Sequence, residues 1–140
     1  MATKILYRTT ATATGGRDGR AATTDGALDV ALAMPVELGG NGKGNNPEQL
    51  FAAGYAACFL SALKFSASQA GTKLPAETSI AATVGIGPRE DVGFGLTVDL
   101  VATIPGLDAA EAKALLDTAH TVCPYSHATR GNIPVNITLA

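Results

Sequence analysis

The sequence has no tryptophan, only two cysteines and two histidines, and ten Lys plus Arg against twelve Asp plus Glu. Each scarcity argues against a class of function. With a formal net charge of -2 and its cations scattered, the chain offers no basic footprint for nucleic acid or an anionic membrane surface. Cys58 and Cys123 lie 65 residues apart, and a reducing cytosol keeps such thiols free, so no permanent structural disulfide is expected. Long hydrophobic runs are also missing. The longest, LFAAGYAACFLSAL, is 14 residues and is followed by Lys64, Ser66, Ser68 and Gln69, too short and too quickly polar for a membrane span. At the N-terminus, MATKILYRTT has Arg8 and threonines where a signal peptide needs a continuous apolar region, so the chain is expected to be cytoplasmic.

What is present reads as one α+β domain covering residues 1–140. Ile5 to Thr14, Ala21 to Thr24 and Ala27 to Leu32 are expected as a three-strand meander, turned by GGRDGR and by Asp25-Gly26. The loop MPVELGGNGKGNN resembles a phosphate loop only superficially. The pattern G-x-x-x-x-G-K-[ST] finds Glu37 at its first glycine and Gly44 at its hydroxyl position, so a specially folded or mobile surface loop is expected. Asn46-Pro47-Glu48 marks a helix start and Gly71 a stop. Two strands, Thr78 to Gly87 and Phe94 to Ile104, follow around the hairpin loop PREDVG. Asp108 and Glu111 read as a capping box for a second helix, Ala109 to about Val122, and Asn132 to Leu139 closes the chain as a strand. The helices are expected to lie on antiparallel sheet. A first helix that is apolar on every side needs more protein around it than one such domain supplies. A homodimer packed through Ala52, Ala53, Ala56 and Ala57 is therefore expected.

The stretch HTVCPYSH, from His120 to His127, admits several chemistries. A glutaredoxin-like Cys-Pro-Tyr-Ser needs its Cys at a helix start within a βαβ unit. Here Cys123 is expected after a helix, at its negative end, with no such unit around it. A zinc site would draw on Cys58, His120, Cys123 and His127, but no CxxC or HxxxH pair supports it. A third reading uses Cys58 as nucleophile and Cys123 as its resolving partner. It needs a cation, because a thiol with a pKa near ~8.5 is little ionised at neutral pH. Arg17, on its glycine-flanked turn, is the candidate, and Glu48 is the natural anion to fix its guanidinium plane in a bidentate pair. Plainer alternatives stay open: inert buried thiols, a solvated turn arginine and a first-turn glutamate favoured by the helix dipole.

The segments ATATGGRDGRA, GGNGKGNNPEQLFAAGYAACFLSALKF, GIGPREDVGFGLTVDL and HTVCPYSHATRGN resemble, in order and without a large gap, the organic hydroperoxide resistance (Ohr) proteins of the OsmC/Ohr superfamily. The resemblance implies an OsmC-like fold in an intertwined homodimer. It implies a cysteine-based peroxidase that reduces fatty acid and alkyl hydroperoxides, and peroxynitrite, in oxidative stress defence. Cys58 in AAGYAACF would be the peroxidatic thiol, Cys123 in VCPYS the resolving thiol, Arg17 the polarising cation and Glu48 its anchor. No metal or bound cofactor is implied; dihydrolipoyl groups on lipoylated proteins would be the reductant. Phe51, Tyr55 and Phe94 would form an apolar pocket suited to an acyl chain. An OsmC-type peroxidase is the alternative within the superfamily, and a redox-sensing or lipid-binding dimer without turnover is the alternative outside it.

Two expectations about geometry follow. Glu48 and Cys58 are ten residues apart on one helix, ~15 Å along its axis, which an Arg17 of ~7 Å reach spans only in part. At least one of Arg17 and Glu48 is therefore expected from a partner subunit. Cys123 is expected to travel toward a Cys58 sulfenate, helped by the break at Pro124.

Overall fold

The computed structural model describes residues 3–140. The chain divides into two compact units, one ending at Leu50 and one from Phe51 to Ala140.

In the first unit, β1 (Ala11–Thr14), β2 (Arg20–Thr23) and β3 (Asp29–Ala31) form an antiparallel sheet in the order β1-β2-β3. The expected meander is there with shorter strands. The expected strand from Ile5 begins only at Ala11, because pairing with β2 stops where Thr24 N–H donates to Thr10 C=O. Thr14 pairs with Arg20 across the first turn, so the five residues between them must reverse the chain. They do so with Gly15 and Gly16 at φ 72° and 60°, followed by a 3-10 turn at Gly16–Asp18. Gly19 closes it, and a Cβ there would lie 1.7 Å from the Thr14 carbonyl oxygen.

The loop after β3 is folded rather than loose. Ala33 N–H donates to Asn45 C=O, and Asn45 N–H donates to Ala31 C=O, each at 2.9 Å. Asn46 then caps α1 (Pro47–Gln69) as expected, and does so reciprocally. Gln49 N–H donates to Asn46 Oδ1 at 2.9 Å, and Asn46 N–H donates to Gln49 Oε1 at 3.2 Å. At the other end Gly71 takes φ 73°, and Thr72 N–H returns to Ala67 C=O, which stops the helix as expected.

In the second unit, β4 (Ser79–Pro88) and β5 (Phe94–Thr103) form a ten-residue antiparallel hairpin. They are followed by α2 (Ala109–Val122), α3 (Pro124–Thr129) and β6 (Val135–Leu139). Here the sheet departs from expectation: β6 pairs parallel to β5, in the order β4-β5-β6. The two helices carry the chain back to Val98, midway along β5, so the return strand runs in the same direction and β5-α2-α3-β6 is a βαβ crossover. The short helix α3 was not anticipated. Asp108 caps α2 through Ala110 and Glu111 N–H, but Glu111 does not complete the expected box; its carboxylate accepts from Thr72 Oγ1 at 2.7 Å.

The core joins three elements. Tyr55, Phe59, Ala62, Leu63 and Ala67 of α1 cluster with Val98, Leu100 and Ala102 of β5 and with Ala112, Leu115, Leu116 and Ala119 of α2. The α2 set repeats at three and four residues, one helical stripe. By length and composition α1 passes as membrane-spanning, at 23 residues with mean hydropathy 1.4, yet this face of it is protein core. Its burial is one-sided in the single chain, with Ala53, Ala57, Ser61 and Phe65 exposed.

Candidate active site

Cys58 sits midway along α1, one turn beyond Tyr55, and is half-buried; Cys123 is fully buried at the junction of α2 and α3. Their sulfurs are 3.6 Å apart and unbonded. The chain brings two thiols from distant positions into contact. A disulfide of ~2.05 Å needs only about 1.5 Å of closure, so the expected journey of Cys123 toward Cys58 is not required. Backbone bonds fix Cys123 on both sides: its N–H donates to Ala119 C=O at 2.8 Å, and its C=O accepts from His127 N–H at 3.0 Å.

Cys123 ends α2 as anticipated, but it is also the residue immediately before α3, with Pro124 at the first helical position. Contrary to expectation, this Cys does open a helix and does lie in a βαβ crossover. What sets the site apart is the partner sulfur. It belongs to Cys58 on another helix, while the motif's fourth residue, Ser126, is buried in a separate hydrogen-bond network.

Burial pushes the Cys58 thiol up from its ordinary pKa, the Tyr125 backbone N–H pulls it down, and the adjacent Cys123 adds to the rise. No cation figures among the groups that move Cys58. The Tyr125 side chain packs over α1 at Gly54, where an added Cβ would come 3.1 Å from its hydroxyl. Its ring stacks on Phe51 at 6.0 Å between centroids and lies 5.7 Å from Tyr55. Phe51 and Tyr55 of the expected pocket are therefore neighbours, 5.8 Å apart edge to face, with Tyr55 fully buried. Phe94 lies apart at the start of β5 and is 64% exposed.

In the first unit, Arg17 and Glu48 form the anticipated bidentate pair. Arg17 Nη1 and Nη2 donate to the two Glu48 carboxylate oxygens, each at 2.8 Å. The Glu48 side chain is only 14% exposed, and Arg17 keeps 35%. The Arg17 hydrogen bonds hold the Glu48 carboxyl below the usual range, and the same bonds raise Arg17, so both stay charged at neutral pH. The solvated-arginine reading is set aside by this geometry.

The family comparisons agree with the motifs. A family model described as OsmC-like protein matches residues 40–138. An organic hydroperoxide resistance protein of Xanthomonas axonopodis pv. citri is 59% identical over 138 residues, covering 98% of this chain and 96% of the relative. The chain belongs to the organic hydroperoxide resistance (Ohr) proteins of the OsmC-like family. Solved Ohr structures superpose closely. One from Elizabethkingia anophelis, with crystallant-derived thiocyanate bound, has a TM-score of 0.93 at 51% identity and covers 99% of each chain. Another, from Legionella pneumophila, has a TM-score of 0.93 at 50% identity, covering 98% of this chain and 99% of its own.

Three participants at this Ohr site escaped the sequence reading: Tyr125, Ser126 and Thr129. The available signal was Cys-Pro-Tyr-Ser itself, weighed as a redox motif with no role given to its Tyr or Ser. His120 is half-buried, and its Nδ1 lies 2.8 Å from Ser126 Oγ. Burial, aided by the nearby Arg130 charge, lowers its pKa. Among the described residues, no three of His, Cys, Asp and Glu gather as metal donors, so the zinc reading gains no support.

Proposed function

We propose that this Ohr protein is a cytoplasmic, cysteine-based peroxidase that reduces organic hydroperoxides in defence against oxidative stress. The observation that carries the reading is the 3.6 Å contact between two free thiols from separate helices. Cys58 thiolate attacks the terminal oxygen of ROOH; the O–O bond breaks, the alkoxide takes a proton, and Cys58 sulfenic acid and ROH result. Cys123 then attacks the sulfenate sulfur, water leaves, and the Cys58–Cys123 disulfide remains. Two thiols have lost two electrons, and a dithiol of the dihydrolipoyl class returns them.

Arg17 is the cation proposed to favour the thiolate and the departing alkoxide, with Glu48 fixing its plane. Because these two side chains bind each other within one chain, a partner subunit that supplies one supplies both. A homodimer sharing its sites in this way accords with the helical distance from Glu48 to Cys58 and with the exposed small residues of α1. Phe51 and Phe94 are proposed to favour acyl and aryl hydroperoxides over hydrogen peroxide, with the buried ring of Tyr55 only backing Phe51.

Turnover of cumene hydroperoxide with a dihydrolipoyl donor tests the activity, and its absence in the reduced, folded protein rejects it. For the shared site, Cys58→Ser and Glu48→Ala subunits are mixed under exchange. Activity should return in the heterodimer, where one intact pair meets one intact Cys58. Heterodimers without activity would reject the arrangement.

A further inference from the structure

Beneath the sulfur pair lies a buried polar chain that the proposed peroxidase chemistry does not use. Tyr55 Oη is 2.8 Å from Ser126 Oγ and 3.2 Å from Thr129 Oγ1; Ser126 Oγ is 2.8 Å from His120 Nδ1; Thr129 Oγ1 donates to Ser126 C=O at 3.1 Å. Tyr55 and Ser126 are wholly inaccessible and Thr129 nearly so. Unpaired hydroxyls there are costly, so each hydrogen needs an acceptor.

Counting hydrogens fixes the direction of the chain. If His120 Nδ1 carries no proton, three hydroxyl hydrogens must serve four contacts and one contact sets lone pair against lone pair. With a proton on Nδ1 all four are filled in sequence: His120 to Ser126, Ser126 to Tyr55, Tyr55 to Thr129, Thr129 to the Ser126 carbonyl. The assignment that fills every contact makes neutral His120 the Nδ1–H tautomer, a donor into the core.

The chain's register matches that of the sulfurs. Tyr55 precedes Cys58 by one turn of α1, and Ser126 follows Cys123 by the same three residues in α3. The Tyr55–Ser126 bond and the Cys58–Cys123 contact are successive cross-links between the same two elements. We infer that His120, Ser126, Tyr55 and Thr129 are positioning residues that hold the start of α3 against α1, keeping Cys123 within reach of Cys58 and so deciding how a Cys58 sulfenate reacts. This inference rests on the proposed peroxidase reading. A sulfenate with Cys123 at hand loses water and becomes disulfide. One whose partner is displaced meets a second ROOH instead and becomes sulfinic acid, with release of a second ROH.

The test measures that branch. Reduced protein is titrated with cumene hydroperoxide, and intact mass gives the ratio of sulfinate to disulfide, a quantity taken from the sulfenate onward. Wild type should give disulfide almost alone. Ser126→Ala and His120→Ala should raise the sulfinate share about tenfold at equal peroxide. His120→Asn, which keeps an amide N–H near the place of Nδ1, should restore most of the wild-type ratio; a general loosening of the fold would not be rescued so. Melting curves identify any variant that does not fold, and the His120 pair, altered at a half-buried position, then decides alone. A wild-type ratio in the folded Ala variants overturns the positioning role while leaving the peroxidase reading intact. A wild type that forms no disulfide overturns both.

Discussion

Arg17 meets Glu48 through a turn whose backbone leaves no room for another residue at Gly19, whereas Cys123 meets Cys58 through the packing of α3 on α1. The first contact is charged, part exposed and set by local backbone geometry. The second is uncharged, buried on its Cys123 side, and set by side chains far apart in sequence. A cation for a polar transition state is held best by a rigid loop and a fork-shaped pair, because a small displacement weakens it steeply. Two sulfurs that must come together are held best by packed helices with a little slack between them.

The largest effect should come from the sulfurs themselves. Cys58→Ser should lower hydroperoxide turnover on the order of 10³-fold or more, whereas Cys123→Ser should consume one equivalent in reaching the sulfenate and a second as sulfinate accumulates, seen by mass. Next come the two glycines that represent the two modes of construction. Gly19→Ala puts a methyl 1.7 Å from a carbonyl oxygen and should reduce turnover about 10²-fold by dislodging Arg17. Gly54→Ala meets only the end of the Tyr125 side chain, at 3.1 Å, and should cost roughly tenfold less. Equal losses in both would erase the contrast.

Two smaller effects depend on pH. Arg17 lowers the Glu48 pKa in the folded state, so the unfolded chain binds the more protons in acid. The pair's stabilisation is therefore complete above the ordinary carboxylate range and is lost as pH falls through the folded value. Urea midpoints of wild type and Glu48→Gln should differ near neutrality and converge in acid. For Cys58, raised by burial and then by Cys123, alkylation should climb only above the ordinary thiol range in the isolated reduced chain. Cys123→Ala should move that profile toward lower pH. Smallest of all, Phe94→Ala at an exposed strand end should change stability by less than about 0.5 kcal/mol and raise KM only for bulky hydroperoxides.

The sequence was most legible where local chemistry decides. Asn46-Pro47 opens α1, Gly71 stops it, Asp108 opens α2, and Glu48 at the head of α1 is the natural anion for Arg17. It was least legible where pairing is remote. Nothing in Val135–Leu139 tells whether its neighbour runs parallel, since that depends on α2 and α3 returning the chain to the middle of β5. A six-residue helix after Pro124 is too short to show a period, so Ser126 looked like part of a motif rather than the hub of a buried network. Cys58 and Cys123 were singled out readily; their contact without rearrangement was not, because a distance between remote helices has no local signature.

The 65-residue separation of the two sulfurs has a thermodynamic consequence. Closing so long a loop removes conformational freedom chiefly from the unfolded chain, about 4 kcal/mol by chain-entropy reckoning, while the folded chain already has its sulfurs in contact. Each catalytic cycle would then alternate between a cross-linked form that resists unfolding and a reduced form that does not. In the proposed cycle the form ready to meet peroxide is the fragile one, and depletion of reductant would preserve the protein while disabling it. Melting temperatures of the two redox forms, compared without other change, measure that alternation directly.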